Sequence, residues 1–197
     1  MELITVDTHS FLPVKSGWVL DAGARGFAFA KELVKSGAKV IALEPDPMVC
    51  DPKIRGVEFY NEALHSECGT KTYGAWSTGE GNMVFEPHEY RTSNYDYMEK
   101  SEVYCRTIDY YMRRHNIEIF ELIKLDIEGS EFPVITDYIE RKQILTKQFS
   151  IEWHYFNELH NSDHRNFNAN ILKDKWWNET YECVKNDPMD SVYVLKN

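Results

Sequence analysis

The stretch from Gly17 to Glu44 constrains this 197-residue chain more than any other. Gly17-Trp-Val-Leu-Asp-Ala-Gly-Ala-Arg-Gly26 is a short apolar run that ends in an acid and a glycine-bearing turn. Phe27 to Ser36 then alternates apolar and charged residues at helical spacing, and Gly37 stands where a helix places its C′ residue. Ala38-Lys-Val-Ile-Ala-Leu-Glu44 follows as a second buried strand, stopped by Pro45-Asp-Pro47. Strand, glycine turn, helix, strand is a parallel βαβ unit, whose crossover is right-handed.

The rest of the chain continues the alternation. Val57 to Asn61 reads as a third strand, and Leu122 to Asp126 as a further core strand. Thr107 is a helix N-cap with Arg113 and Arg114 in the last turn of its helix, and a longer helix runs from Glu131 to about Leu145. Phe149 to Trp153 is another strand, His164 to Asp174 suits a short helix, and Tyr181–Lys185 and Ser191–Lys196 form a closing hairpin. Between Gly69 and about Lys100 the pattern loosens into a Tyr-rich loop or hairpin, with Lys71–Trp76 and Met83–Glu86 as short strands. The expected fold is α/β: a doubly wound, mostly parallel sheet with a C-terminal antiparallel hairpin. One domain spans 1–197, with 1–16 as an N-terminal extension and 70–101 as an insertion able to serve as a lid over an acceptor.

Charge narrows the function. With 22 Lys+Arg against 32 Asp+Glu the formal net charge is −10, which disfavours a nucleic-acid backbone or an anionic membrane as the main partner. No stretch approaches the ~18 apolar residues of a membrane helix. The start MELITVDTHSFLPV carries neither a basic n-region nor an apolar h-region, so a signal peptide is not expected. The cysteines at 50, 68, 105 and 183 form no Cys-x-x-Cys pair, and they read as free thiols of a reducing, cytoplasmic compartment.

In an open α/β sheet a ligand lies beyond the carboxyl ends of the strands. Three groups stand at such ends: Asp21-Ala-Gly23, Glu44 and Asp126. Glycines at 23 and 26 let the backbone turn tightly and approach a ligand, or make a tight turn and nothing more. Glu44, 23 residues past Asp21, is placed to accept both hydroxyls of a ribose. The order Asp21-Ala-Gly23-Ala-Arg-Gly26 has one glycine fewer than the dinucleotide pattern and an acid leading the turn. That acid repels a pyrophosphate and suits a sulfonium or ammonium, which favours S-adenosylmethionine over NAD.

At these residues the chain resembles a known family. Asp21-Ala-Gly-Ala-Arg-Gly26, Ala42-Leu-Glu-Pro45, Ile123-Lys-Leu-Asp-Ile-Glu-Gly-Ser-Glu131 and Ile151-Glu-Trp-His154 look like the successive motifs of FkbM-type methyltransferases, class I S-adenosylmethionine-dependent O-methyltransferases. The similarity runs from about Gly17 to His154, and the Lys124–Glu131 block is its specific part. Arg25 stands where the family has a small residue or Asn. The resemblance implies a seven-stranded Rossmann-like sheet. It also implies that Asp21, Gly23 and Gly26 cradle the methionine end of the cofactor, that Glu44 holds its ribose, and that Asn61-Glu62-Ala63 lies near the adenine.

Methyl transfer to oxygen requires alignment of acceptor, methyl and sulfur, and removal of a proton from a weakly acidic hydroxyl. Asp126 and His154, at the ends of neighbouring strands, are the expected catalytic pair. His154 acts as base, or holds a divalent ion with Asp126, or merely orients or caps; no metal is predicted. Glu131 suits the dipole of the helix it opens, Lys124 is either buried in a pair or exposed, and Glu152 is a candidate partner for Lys124. His160 and His164 share metal-binding spacing but sit in polar surroundings. Tyr90–Tyr97, Trp153–Phe156 and Trp176-Trp177 are core, or a wall against a sugar. The expected reaction is methylation of a hydroxyl on a glycan or small natural product. A silent S-adenosylmethionine-binding scaffold, and less so an NAD-type oxidoreductase, are the alternatives.

Overall fold

The computed structural model describes residues 2–75, 83–85, 99–154, 173–187 and 190–197. Among the described residues, thirteen strands and four helices follow in chain order: β1 (Ile4–Val6), β2 (His9–Phe11), β3 (Trp18–Ala22), α1 (Ala28–Lys35), β4 (Lys39–Leu43), β5 (Val57–Tyr60), β6 (Ala63–Leu64), β7 (Gly69–Ala75), β8 (Met83–Phe85), β9 (Glu99–Arg106), α2 (Ile108–His115), β10 (Leu122–Leu125), α3 (Glu131–Arg141), β11 (Gln148–Glu152), α4 (Lys175–Thr180), β12 (Tyr181–Asn186) and β13 (Asp190–Leu195).

The main sheet has seven strands in the order β12-β13-β11-β10-β3-β4-β5. The five consecutive strands from β11 to β5 pair in parallel, whereas β13 is antiparallel to both β11 and β12. From β3 the chain proceeds outward through β4 to β5, then returns to the other side of β3 for β10 and β11. The strand order reverses between β3 and β10, so the crevice beyond their carboxyl ends is the place for a ligand. Strands β3, β4 and β10 are almost wholly buried, as parallel strands covered on both faces must be. Their apolar faces pack with α2 and α3 into one core that also takes Phe149, Trp153, Trp177, Tyr181 and Tyr193.

Local chemistry sets the element ends. The αL residue Gly37 (φ 99°) closes α1, and the Thr107 hydroxyl caps α2 by accepting from Tyr110 N–H. Helix α3 stops at Arg141, four residues before the expected end: Lys142 takes a left-handed conformation, and Leu145 N–H donates to the Tyr138 hydroxyl at 2.9 Å. The loosely patterned segment folds as a second sheet, β6-β9-β7-β8. Residues Tyr90–Tyr97, Trp76, Glu86, Tyr155–Phe156, His160 and His164, and the helix expected to begin there, lie outside the described residues.

The first sixteen residues are more than an extension. The β1–β2 hairpin lies on the sheet, and Gln148 of β11 grips the chain beyond β2, accepting Leu12 N–H at 2.8 Å and donating to Leu12 C=O at 3.1 Å. Phe11 and Val14 complete a core with Phe29 and Leu33 of α1. Among the described residues, no helix is long and apolar enough to cross a membrane.

Candidate functional site

At the carboxyl end of β3 the chain must turn within a space that only glycine fits. Gly23 sits at φ 83°, and a Cβ there would meet the Asp126 carbonyl oxygen at 1.8 Å. That close approach joins the first turn to the end of β10, while Gly23 and Ala24 N–H both donate to Leu43 C=O at the end of β4. Gly26 differs: a Cβ there would meet nothing within 4 Å, so the room around it is open to a ligand.

Two cavities meet at this point. The larger, about 180 Å³, is lined by Gly23, Leu43, Glu44, Ala63, Asp126 and Glu128 among others. The smaller, about 140 Å³, is lined by His9, Asp21, Gly26, Phe29, Lys124 and Asp126 among others. Gly23, Arg25 and Asp126 line both. Six of the eight residues predicted from the sequence border one or both of these cavities: Asp21, Gly23, Gly26, Glu44, Ala63 and Asp126; His154 lies behind Asp126 and Glu128. Glu62 borders neither. Its carboxylate accepts from the Tyr111 hydroxyl at 2.7 Å and pairs with Arg106 at 3.3 Å, because β6 carries it toward α2. Of the Asn61-Glu62-Ala63 segment, then, Ala63 reaches the cleft, and Asn61 supports it by donating to the Glu44 and Asp46 carbonyls at 2.7 and 2.8 Å.

Glu44 is buried, and burial is the chief cause that pushes its carboxyl up to about 7, against the Asp46 N–H bonded to it at 2.9 Å. Arg25 lies 3.2 Å from the buried carboxylate of Asp46.

Around Asp126 the structure gathers more charge than the sequence suggested. Lys124 is fully enclosed: Nζ lies 3.2 Å from both Asp21 Oδ1 and Asp126 Oδ2, and donates to Gly23 C=O at 2.9 Å. Burial opposes its charge, but the two carboxylates outweigh burial and keep it an ammonium. Its expected partner Glu152 is engaged elsewhere, accepting from the Thr8 hydroxyl at 2.9 Å and lying 3.5 Å from His9. His9 Nε2 is 3.2 Å from Asp126 Oδ2. Burial alone would favour a neutral Asp126, yet the His9 bond and the Lys124 charge hold its carboxyl well below the usual range.

His154 is buried at the end of β11 with four carboxylates around it. Its Nδ1 meets Glu131 Oε1 at 2.9 Å, and a carboxylate can only accept, so Nδ1 carries the proton. Nε2 lies 3.5 Å from Glu128 Oε2, 3.6 Å from Asp126 Oδ1 and 3.7 Å from Glu152 Oε1. Burial disfavours the charged ring, but Glu131 first, then Glu128 and Asp126, outweigh it and push the imidazole up to about 9. These neighbours favour the charged ring, so Nε2 would have to give up its proton before it acted as a base or a ligand. Glu131 opens α3 as expected and is also a clamp, fully buried and accepting Ile127 N–H at 2.7 Å and Gly129 N–H at 2.8 Å. Trp153 and Trp177, considered as a sugar wall, are both fully buried core.

Sequence reasoning missed His9 and undervalued Lys124. A histidine in a three-residue strand before the first glycine turn carries no pattern that ties it to a site some 117 residues later. Lys124 did carry a signal, since a lysine inside an otherwise apolar parallel strand must find a counter-charge.

The FkbM methyltransferase domain model matches residues 21–176. The chain belongs to the FkbM methyltransferase family. No curated protein sequence matches it at a significant level. Among solved structures it is similar to methyltransferase FkbM from Methylobacillus flagellatus KT, with 17% identity and a TM-score of 0.49, over 91% of this chain and 44% of that one. This chain thus spans less than half the length of that FkbM protein. The family match takes in the glycine turn, Glu44, Lys124–Glu131 and His154, while His9 lies upstream of it.

Proposed function

We propose that this FkbM family member is an S-adenosylmethionine-dependent O-methyltransferase acting on a hydroxyl of a glycan or small natural product. The observation that carries the reading is that Asp126 lines both cavities, the one that holds Glu44 and the one that holds Asp21 and Gly26. The residues present suit the cofactor. An added Cβ at Gly26 would stand in open space, and the fully buried Asp21 carboxylate accepts no hydrogen bond among the described residues, its ion pair with Lys124 aside. Excess negative charge in a water-poor cleft suits a sulfonium and an ammonium.

Glu44 would accept the ribose hydroxyls, Ala63 would border the adenine, and Gly23 and Gly26 would admit the methionine end. When bound, the cofactor supplies an electrophilic methyl whose C–S bond breaks as the acceptor oxygen attacks. The chain's own task is alignment and proton removal. Asp126, fixed on Oδ2 by Lys124 and His9, sets one face for the acceptor hydroxyl, and His154 completes that face. The hydroxyl proton would pass to one of the carboxylates beside His154, whose ring holds those groups in place.

Thermal shift tests the reading. S-adenosylhomocysteine should stabilise the protein and NAD should not; no stabilisation at a hundredfold excess over a micromolar Kd, where ~2.7 kcal/mol is due, overturns it. Glu44→Ala should lose binding, whereas His154→Ala should keep it and lose turnover of labelled cofactor with glycan acceptors.

A further inference from the structure

We infer that the cleft contains a divalent-cation site formed by Asp126 Oδ1, Glu128 Oε2 and His154 Nε2. Asp126, Glu128 and His154 each offer a ligand atom within 4.8 Å of the other two. The Nε2 separations of 3.5 and 3.6 Å from the two carboxylate oxygens are long for charge-assisted hydrogen bonds. They are near the roughly 3.0–3.5 Å edges of a coordination polyhedron with bonds of ~2.1 Å.

The groups behind these atoms point the same way. Metal-bound histidines characteristically donate their other ring N–H to a carboxylate, which fixes tautomer and orientation. His154 Nδ1 does this toward Glu131, and Glu131 is itself held by two backbone N–H groups from the turn that carries Glu128. Asp126 is fixed in the same manner, Oδ2 taken by His9 and Lys124 while Oδ1 faces His154. Glu128 reaches inward from a left-handed backbone conformation (φ 54°), and its Oε2 is buried without a hydrogen-bond donor among the described residues. Among these residues only the His154 ring faces that oxygen, at 3.5 Å, and a divalent ion taking the place of the ring proton on Nε2 would give it a direct bond. Asp126 and Glu128 both line the larger cavity, which gives an ion a way in.

One imidazole with two carboxylates is a mixed, moderately hard donor set, suited to Mn²⁺ and neighbouring divalent ions rather than to thiolate-seeking metals. Its chemical use rests on the methyltransferase reading: an ion on the Asp126–His154 face would bind the acceptor hydroxyl and lower its pKa. Ion binding itself does not depend on that reading.

Mn²⁺ titration of chelator-treated protein, followed by the loss of the free-ion electron paramagnetic resonance signal, tests the site without any nucleoside present. The expected result is one saturable Mn²⁺ per chain, weakened at least ~10-fold in Glu128→Gln and about 10-fold in the positioning variant Glu131→Gln. Glu32→Gln, on the exposed face of α1, should bind as the unaltered protein does. In the unaltered protein, bound Mn²⁺ should broaden the ring-proton resonances of His9 and His154 and spare His115, which packs on Trp18 at the far ends of the strands. This second readout requires no variant to fold. No saturable binding of Mn²⁺, Mg²⁺ or Zn²⁺ at millimolar concentration overturns the site, as does binding indifferent to Glu128→Gln or broadening that misses His154. S-adenosylhomocysteine binding is measured alongside. Its retention with ion binding absent overturns the ion site alone, and the reverse pattern overturns the methyltransferase reading alone.

Discussion

Glu44 carries the most direct pH prediction. Burial pushes its carboxyl from 4.5 up to about 7, so the folded protein holds that proton more tightly than the unfolded chain does. The resulting stabilisation is fully present below pH 4.5 and is lost as pH rises through 7. Glu44→Gln, which mimics the protonated side chain, should therefore melt higher than the unaltered protein at pH 8 and alike near pH 4.5. Ligand binding runs the other way. Ribose hydroxyls donate to an ionised carboxylate, so binding below pH 7 must expel a proton. Calorimetry should show S-adenosylhomocysteine affinity flat above pH 7 and falling toward tenfold per unit below it. Residual binding in Glu44→Gln should lose that slope. A matched pair of glycines makes a second residue-scale test. Gly23→Ala drives a Cβ into the Asp126 carbonyl at positive φ and should cost more than ~3 kcal/mol in urea denaturation, whereas Gly26→Ala should leave apo stability within ~0.5 kcal/mol and reduce cofactor affinity.

The next scale is that of the strand, turn and helix from Leu122 to Arg141. Here Glu131 ties three pieces together: the turn, through Ile127 and Gly129; its own helix α3; and β11, through His154. Glu131→Ala strands two backbone donors and an imidazole at once. It should cost about 3–5 kcal/mol, with Glu131→Gln costing less because the amide oxygen can still accept. Thr107→Ala, which removes a single cap bond from α2, should cost only ~1 kcal/mol. Guanidinium melts of the three variants give the ranking. At this scale the sequence was readable wherever periodicity and end chemistry agreed. Gly37, Thr107 and the apolar run Leu122–Leu125 marked α1, α2 and β10 without ambiguity. Strand β9 was not readable, because Glu99, Lys100, Ser101 and Glu102 are exposed and only Val103 and Cys105 turn inward. Strand β2 hid for the opposite reason: His9 and Ser10 are polar yet buried, and His9 Nε2 and the Ser10 hydroxyl meet partners far along the chain. The site showed the same division. Asp21, Glu44 and Asp126 stand at strand ends, where position alone speaks. The work of His9, Lys124 and Glu131 depends on which strands become neighbours.

Across the whole molecule, the net charge of −10 and the carboxylates around His154 act in one direction. A cleft with an excess of one sign of charge raises the local concentration of the opposite sign, and added salt weakens that field over a Debye length of ~10 Å at 0.1 M. S-adenosylmethionine carries one more positive charge than S-adenosylhomocysteine, at the sulfonium, and the two are otherwise nearly alike. Their difference in affinity therefore isolates what the field does to the reacting centre. Raising salt from about 0.05 to 0.5 M should weaken S-adenosylmethionine binding roughly threefold more than S-adenosylhomocysteine binding. A divalent ion in the cleft would neutralise part of that charge, so Mn²⁺ should shrink the difference between the two nucleosides. Equal salt dependence without Mn²⁺ would place the discrimination in short-range contacts at Asp21 and Asp126 rather than in the field of the chain.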